Sequence, residues 1–153
     1  MRATVCLNGL WRFQPAIGVT SNQPQTTGWG WLPVPGSWRP CALPGVIRAV
    51  GPAWEQFKGD SNPVGWYERD LTIPVNWDGR AIILDLRRVS TDAVVLIDGK
   101  EAGRVFWPGG EVALTDAVTP GQKHQLRIKV VAVADQAEVT RFTSSNGFRF
   151  IVV

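Results

Sequence analysis

The chain has 153 residues, 44% hydrophobic and 19% charged, with 16 basic side chains against 13 acidic ones. That suits one domain with a real core and excludes a disordered chain. The basic residues are scattered, Arg87-Arg88 being the one adjacent pair, so the electrostatic footprint of a nucleic-acid-binding protein is missing.

The longest apolar runs are short, such as "AVVLI" at 93–97, where a membrane span needs roughly 20 residues. No basic segment followed by an apolar one opens the chain, so the expectation is a soluble protein without a visible signal peptide. Cys6 and Cys41 are too few for a disulfide framework and leave pairing open. Eight tryptophans are the unusual feature. Flat apolar faces of that kind serve sugar binding, and they serve the cores of all-β domains equally.

In chain order, "ATVCLNGLWRF" at 3–13 opens with a β-rich run through Asn8-Gly9. Residues 14–65 are punctuated by Pro33, Pro35, Gly36, Pro40, Pro44 and Gly45 and are expected to be a long irregular region. "GWYERDLTI" at 65–73 reads as a strand ended by Pro74, and "AIILDL" at 81–86 as the next. "TDAVVLIDGKEAGRVF" at 91–106 reads as a hairpin, with Asp98-Gly99 suited to a type I′ turn. "EVALTD", "QLRIKVVAVA", "AEVTRF" and "FRFIVV" supply further strands. No stretch carries apolar residues at helical spacing, and the many short strands between Gly and Pro turns predict a single β-sandwich or jelly roll over 1–153.

Catalytic constellations are scarce. His124, the one histidine, precedes a strand and reads as a surface or turn residue. One histidine and two distant cysteines make no zinc site, and no phosphate-cradling, dinucleotide or nucleophile-elbow motif occurs; no metal or cofactor is expected. Glu68 and Asp70 share a strand face about 7 Å apart, within the roughly 5–9 Å that paired glycosidase carboxylates span. Any E-x-D strand offers that spacing, and a hydrated strand face is the expected reading. The opposite face carries Tyr67, Arg69, Leu71 and Ile73, so Arg69 is expected to swing outward or to hold a buried partner, ordinarily a carboxylate.

The order of these segments resembles the N-terminal sugar-binding-type domain of glycoside hydrolase family 2, which includes β-galactosidases, β-glucuronidases and β-mannosidases. "LNGLWRF" at 7–13, "VPGSW" at 34–38, "GWYERDLTIP" at 65–74, "LDLRRVSTDAVVLIDGKEAGR" at 84–104, "GGEVALTDAVTPGQKHQLRIKVV" at 109–131 and "NGFRFIVV" at 146–153 are similar to its landmarks, in order. The resemblance implies an all-β jelly-roll β-sandwich of the galactose-binding-domain-like type. It also implies that the catalytic glutamates lie on a separate (β/α)₈ barrel reached through an immunoglobulin-like domain. The chain alone is then expected to have no activity, within a parent acting on O-glycosyl bonds. The chain departs from the pattern at Phe150, where an acidic residue usually follows the arginine, and at "RVFWPGG", 104–110.

On this reading the irregular 39–62 region is the rim of a sugar pocket, with Trp54, Trp107, Arg48 and Asn62 as expected carbohydrate contacts. Trp11, Trp38, Trp66, Tyr67 and Arg69 match landmarks and are expected to be structural. Three alternatives stay open: an autonomous carbohydrate-binding module, an interaction protein forming a homodimer over Phe106 and Trp107, and a small glycosidase using Glu68 and Asp70.

Overall fold

The computed structural model describes residues 3–15, 23–34, 64–87, 89, 92–131 and, as backbone, 147–152. The strands described are β1 (Ala3–Cys6), β2 (Gly9–Pro15), β3 (Gly30–Val34), β4 (Val64–Thr72), β5 (Ile82–Arg87), β6 (Asp92–Ile97), β7 (Lys100–Phe106), β8 (Gly109–Ala113), β9 (Lys123–Val131) and β10 (Gly147–Val152). They form a four-stranded sheet, β1-β10-β5-β8, and a six-stranded sheet, β3-β2-β4-β9-β6-β7. Every strand pairing among the described residues is antiparallel, which makes the fold the expected all-β sandwich. Among the described residues no helix is long and apolar enough to cross a membrane.

Strict alternation builds the core. In β9, His124, Leu126, Ile128 and Val130 are buried, while Gln125, Arg127 and Lys129 are half-buried on the other face. From the six-stranded sheet Trp11, Phe13, Leu32, Tyr67 and Val95 join them, facing Ile82, Leu84, Leu86 and Val112 of the four-stranded one. The Phe13 and Tyr67 rings meet edge to face at 5.1 Å, and burial pushes the Tyr67 hydroxyl far above the ordinary phenol range. β6 lies between β9 and β7, with Leu96 buried and Val94 half-buried on the outward side.

The expected hairpin is present: Asp98 and Gly99 both take positive φ, 50° and 81°, as a type I′ turn requires. The stretch read as irregular contains one strand, β3, despite Pro33. β3 is the margin of its sheet, where a missing N–H is tolerated. The expected strand at 137–142 lies outside the described residues, as does most of 14–65.

At the end where the sheets meet, β7 and β8 interlock by size. A Cβ on Gly103 would sit 2.7 Å from Val112 Cγ1, and one on Gly110 would sit 3.3 Å from Val105 Cγ1. Each valine thus fills the space the facing glycine leaves. Because a valine is stiff about χ1, Gly103→Ala is expected to cost about 1–3 kcal/mol in urea denaturation. In Gly103→Ala/Val112→Ala the combined loss is expected to fall short of the sum of the two single losses, whereas simple additivity would show that Val112 yields freely.

Candidate functional site on the outer face of the six-stranded sheet

The outward side chains of this sheet form rows fixed by strand register. Arg12 stands opposite Trp31 of β3 and Glu68 of β4, and Glu68 opposite Arg127 of β9. Arg12 Nη1 donates to Glu68 Oε1, and Arg127 Nε donates to Glu68 Oε2 at 2.7 Å. Glu68 is 3% exposed. The hydrated-face expectation therefore fails for Glu68: period-2 alternation assigns it outward, but two long guanidinium side chains close over it. Asp70 does face water and pairs with Lys123 at 2.7 Å.

The next row holds Gln14, Trp66 and Lys129. Trp66 is buried, with the Lys129 ammonium 5.6 Å from its ring centre, and its Nε1 has no hydrogen-bond partner among the described residues. Gln14, also buried, donates through Nε2 to Thr27 O and accepts the Gln25 N–H on Oε1 at 2.8 Å. It thereby pins residues 25–27 beside β2. From that anchored segment comes Trp29, whose Nε1 donates to Gln25 O at 3.0 Å and whose ring lies 4.8 Å from the Arg12 guanidinium.

Arg69, on the inward face, holds no carboxylate in the described structure. Its Nη1 donates to the carbonyl oxygen of Leu7 at 2.8 Å, and its guanidinium lies 5.7 Å from the Trp11 ring centre. Trp11 is fully buried and donates Nε1–H to the same oxygen, also at 2.8 Å.

His124 is buried, not superficial. Its Nε2 accepts the Thr119 N–H at 2.9 Å, which leaves Nδ1–H to donate to Asp98 Oδ2 at 2.6 Å. Asp98 Oδ1 accepts the Gln125 N–H at 2.8 Å. The histidine thus fastens the hairpin turn to β9. The backbone bond to Gln125, then the His124 bond, hold the Asp98 carboxyl below its usual range.

Of the expected carbohydrate contacts, Arg48, Trp54 and Asn62 lie outside the described residues, as do Trp38 and Cys41. Trp107 is exposed just after β7, at the margin of the sheet opposite β3. The residues that sequence reading passed over are Arg12, Trp29, Trp31 and Arg127, which meet only through strand pairing. Among the described residues no group of three His, Cys, Asp or Glu can hold a metal ion, and Cys6 is exposed and unpaired. Both Glu68 oxygens are taken by guanidinium donors, which join β2, β4 and β9 across this row.

No family model matches the sequence, and no curated protein matches it. Solved structures do match. A β-glucuronidase from an uncultured Clostridium sp. aligns with TM-score 0.73 at 21% identity, covering 99% of this chain and 29% of that one. The Ruminococcus gnavus β-glucuronidase in complex with D-glucuronic acid aligns with TM-score 0.70 at 19% identity, covering 99% and 29%. The β-D-glucuronidase of Dictyoglomus thermophilum gives 0.66 at 17%, covering 99% and 28%. The chain spans less than a third of the length of these structures and shares the fold of a portion of them.

Two predictions come from this geometry. Glu68→Ala leaves two guanidiniums facing each other without their carboxylate. With both arginines partly exposed, the expected loss is about 2–3 kcal/mol by urea denaturation, and a loss under 0.5 kcal/mol would mean the row is ornamental. Asp98, with its pKa lowered from the ordinary 3.8, contributes stability that is full above that value and disappears as pH falls through the lowered one. Asp98→Asn keeps a residue that tolerates positive φ. It is expected to lower the melting temperature at neutral pH and to leave a shallower decline as pH falls below the ordinary 3.8; parallel wild-type and variant curves would refute the assignment.

Proposed function

We propose that the chain is a noncatalytic, sugar-binding-type jelly-roll domain of a family 2 glycoside hydrolase, scaffolding and helping to shape a glycoside pocket whose catalytic carboxylates lie on other domains. The observation that carries this reading is the asymmetry of coverage: nearly all of this chain matches under a third of each β-glucuronidase structure. The state of the carboxylates supports it as well. Glu68 is buried between Arg12 and Arg127, and Asp70 is an exposed partner of Lys123, so neither stands ready to protonate or attack a glycosidic bond. Arg48, Trp54, Asn62 and Trp107 are the proposed contacts at the rim, and an immunoglobulin-like domain and a (β/α)₈ barrel are the proposed neighbours.

The test is turnover. The 153-residue chain, incubated with 4-nitrophenyl β-glucuronide, β-galactoside and β-mannoside, is expected to release no nitrophenol above the buffer rate. Release that disappears in Glu68→Gln would replace this reading with a small glycosidase.

A further inference from the structure

We propose that the β2–β3 margin of the outer face is a binding site for an acidic saccharide, with Trp31 as the stacking platform and Arg12 as the anion anchor. None of the four rim residues belongs to this site, so its failure would leave the rim reading untouched.

Two large apolar side chains stand in water here: Leu10 is 60% exposed and Trp31 50%. Register puts both on the outward face, Trp31 opposite Arg12 and Leu10 opposite Pro33. An indole carried on a paired strand is a rigid, flat, apolar surface. Such surfaces suit the C–H face of a pyranose ring, at little entropic cost to the protein. Beside it, the Arg12 guanidinium is fixed in direction by Glu68 on one side and the Trp29 ring on the other. Its side chain is still 43% exposed, so N–H donors of the fork remain open to an incoming oxyanion.

Charge decides what kind of sugar. Arg12 and Arg127 share the single carboxylate of Glu68. The nearby Asp70 is already neutralised by Lys123. Among these described ion pairs two guanidiniums meet one carboxylate, a positive surplus that favours an anionic ligand over a neutral one. The same margin is poorly suited to an acidic polypeptide added as a further strand, because Pro33 interrupts the N–H row of β3. Carboxylated and sulfated saccharides share the required chemistry of an apolar ring face next to an oxyanion.

Calorimetry of the full chain at low salt distinguishes these cases, using tetragalacturonate, its fully methyl-esterified form, a sulfated chondroitin tetrasaccharide and a polyglutamate peptide. Saturable binding of tetragalacturonate, the chondroitin probe or both is expected, the first assigning a carboxylate and the second a sulfate as the preferred anion. The methyl ester is expected to bind at least about tenfold more weakly than the acid. Trp31→Ala, a change at an exposed position, is expected to weaken binding by about tenfold or more while leaving the thermal melt unchanged. Arg12→Lys, which keeps the charge but not the fork, is expected to weaken it less. No saturation at millimolar probe, equal binding of ester and acid, indifference to Trp31→Ala, or preference for polyglutamate would each overturn the proposal.

Discussion

The carbonyl oxygen of Leu7 ties the two sheets together. The chain leaves the four-stranded sheet at Cys6 and enters the six-stranded one at Gly9. A carbonyl stranded between two ladders and left unsatisfied would cost about 1–3 kcal/mol. Here it accepts two hydrogen bonds, from the Trp11 indole and the Arg69 guanidinium, which uses both lone pairs. Arg69 is consequently no misplaced charge among apolar neighbours. It is the donor that a crossing chain needs, with its cation spread over the ring of Trp11.

Because Trp11 lies on β2 and Arg69 on β4, this shared acceptor also fixes how those strands slide against each other. One residue along each strand, the same register sets Arg12 opposite Glu68. The inward clamp and the outward ion row are therefore two faces of one alignment. A one-residue slip of β2 against β4 would turn Arg12 into the core and expose Trp11 and Phe13. Any alignment that parted Glu68 from Arg12 and Arg127 would leave a buried carboxylate without its partners, so the row penalises the wrong register.

Sequence reading reached far into this fold because its signals are local. Alternation over 123–131 and the Asp98-Gly99 pair need only their own neighbours to be read, and the strands from β4 onward lie within a few residues of where they were expected. β3 escaped because Pro33 speaks against a strand unless one knows the strand is marginal. The outer face was legible only as a list of outward positions. Burial of Glu68 depends on which residues two other strands place beside it, some 56 and 59 positions away in the chain. His124 was misjudged for the same reason, since its partner Asp98 sits 26 residues earlier. For Arg69 the sequence left an outward swing or a buried partner open, and the partner found is a carbonyl, because side chains are visible in a sequence and orphaned carbonyls are not.

Pro33 has a consequence beyond its own strand. A sheet margin with an unbroken row of N–H and C=O groups invites pairing with another molecule. On β3 the row is broken by a residue that cannot donate. β1 forms one margin of the other sheet and offers only Ala3–Cys6, with exposed Thr4, Val5 and Cys6 and no proline. Of the two margins β3 and β1, which end different sheets, only β1 thus keeps every backbone donor, so the backbone resists a further strand at β3 and permits one at β1.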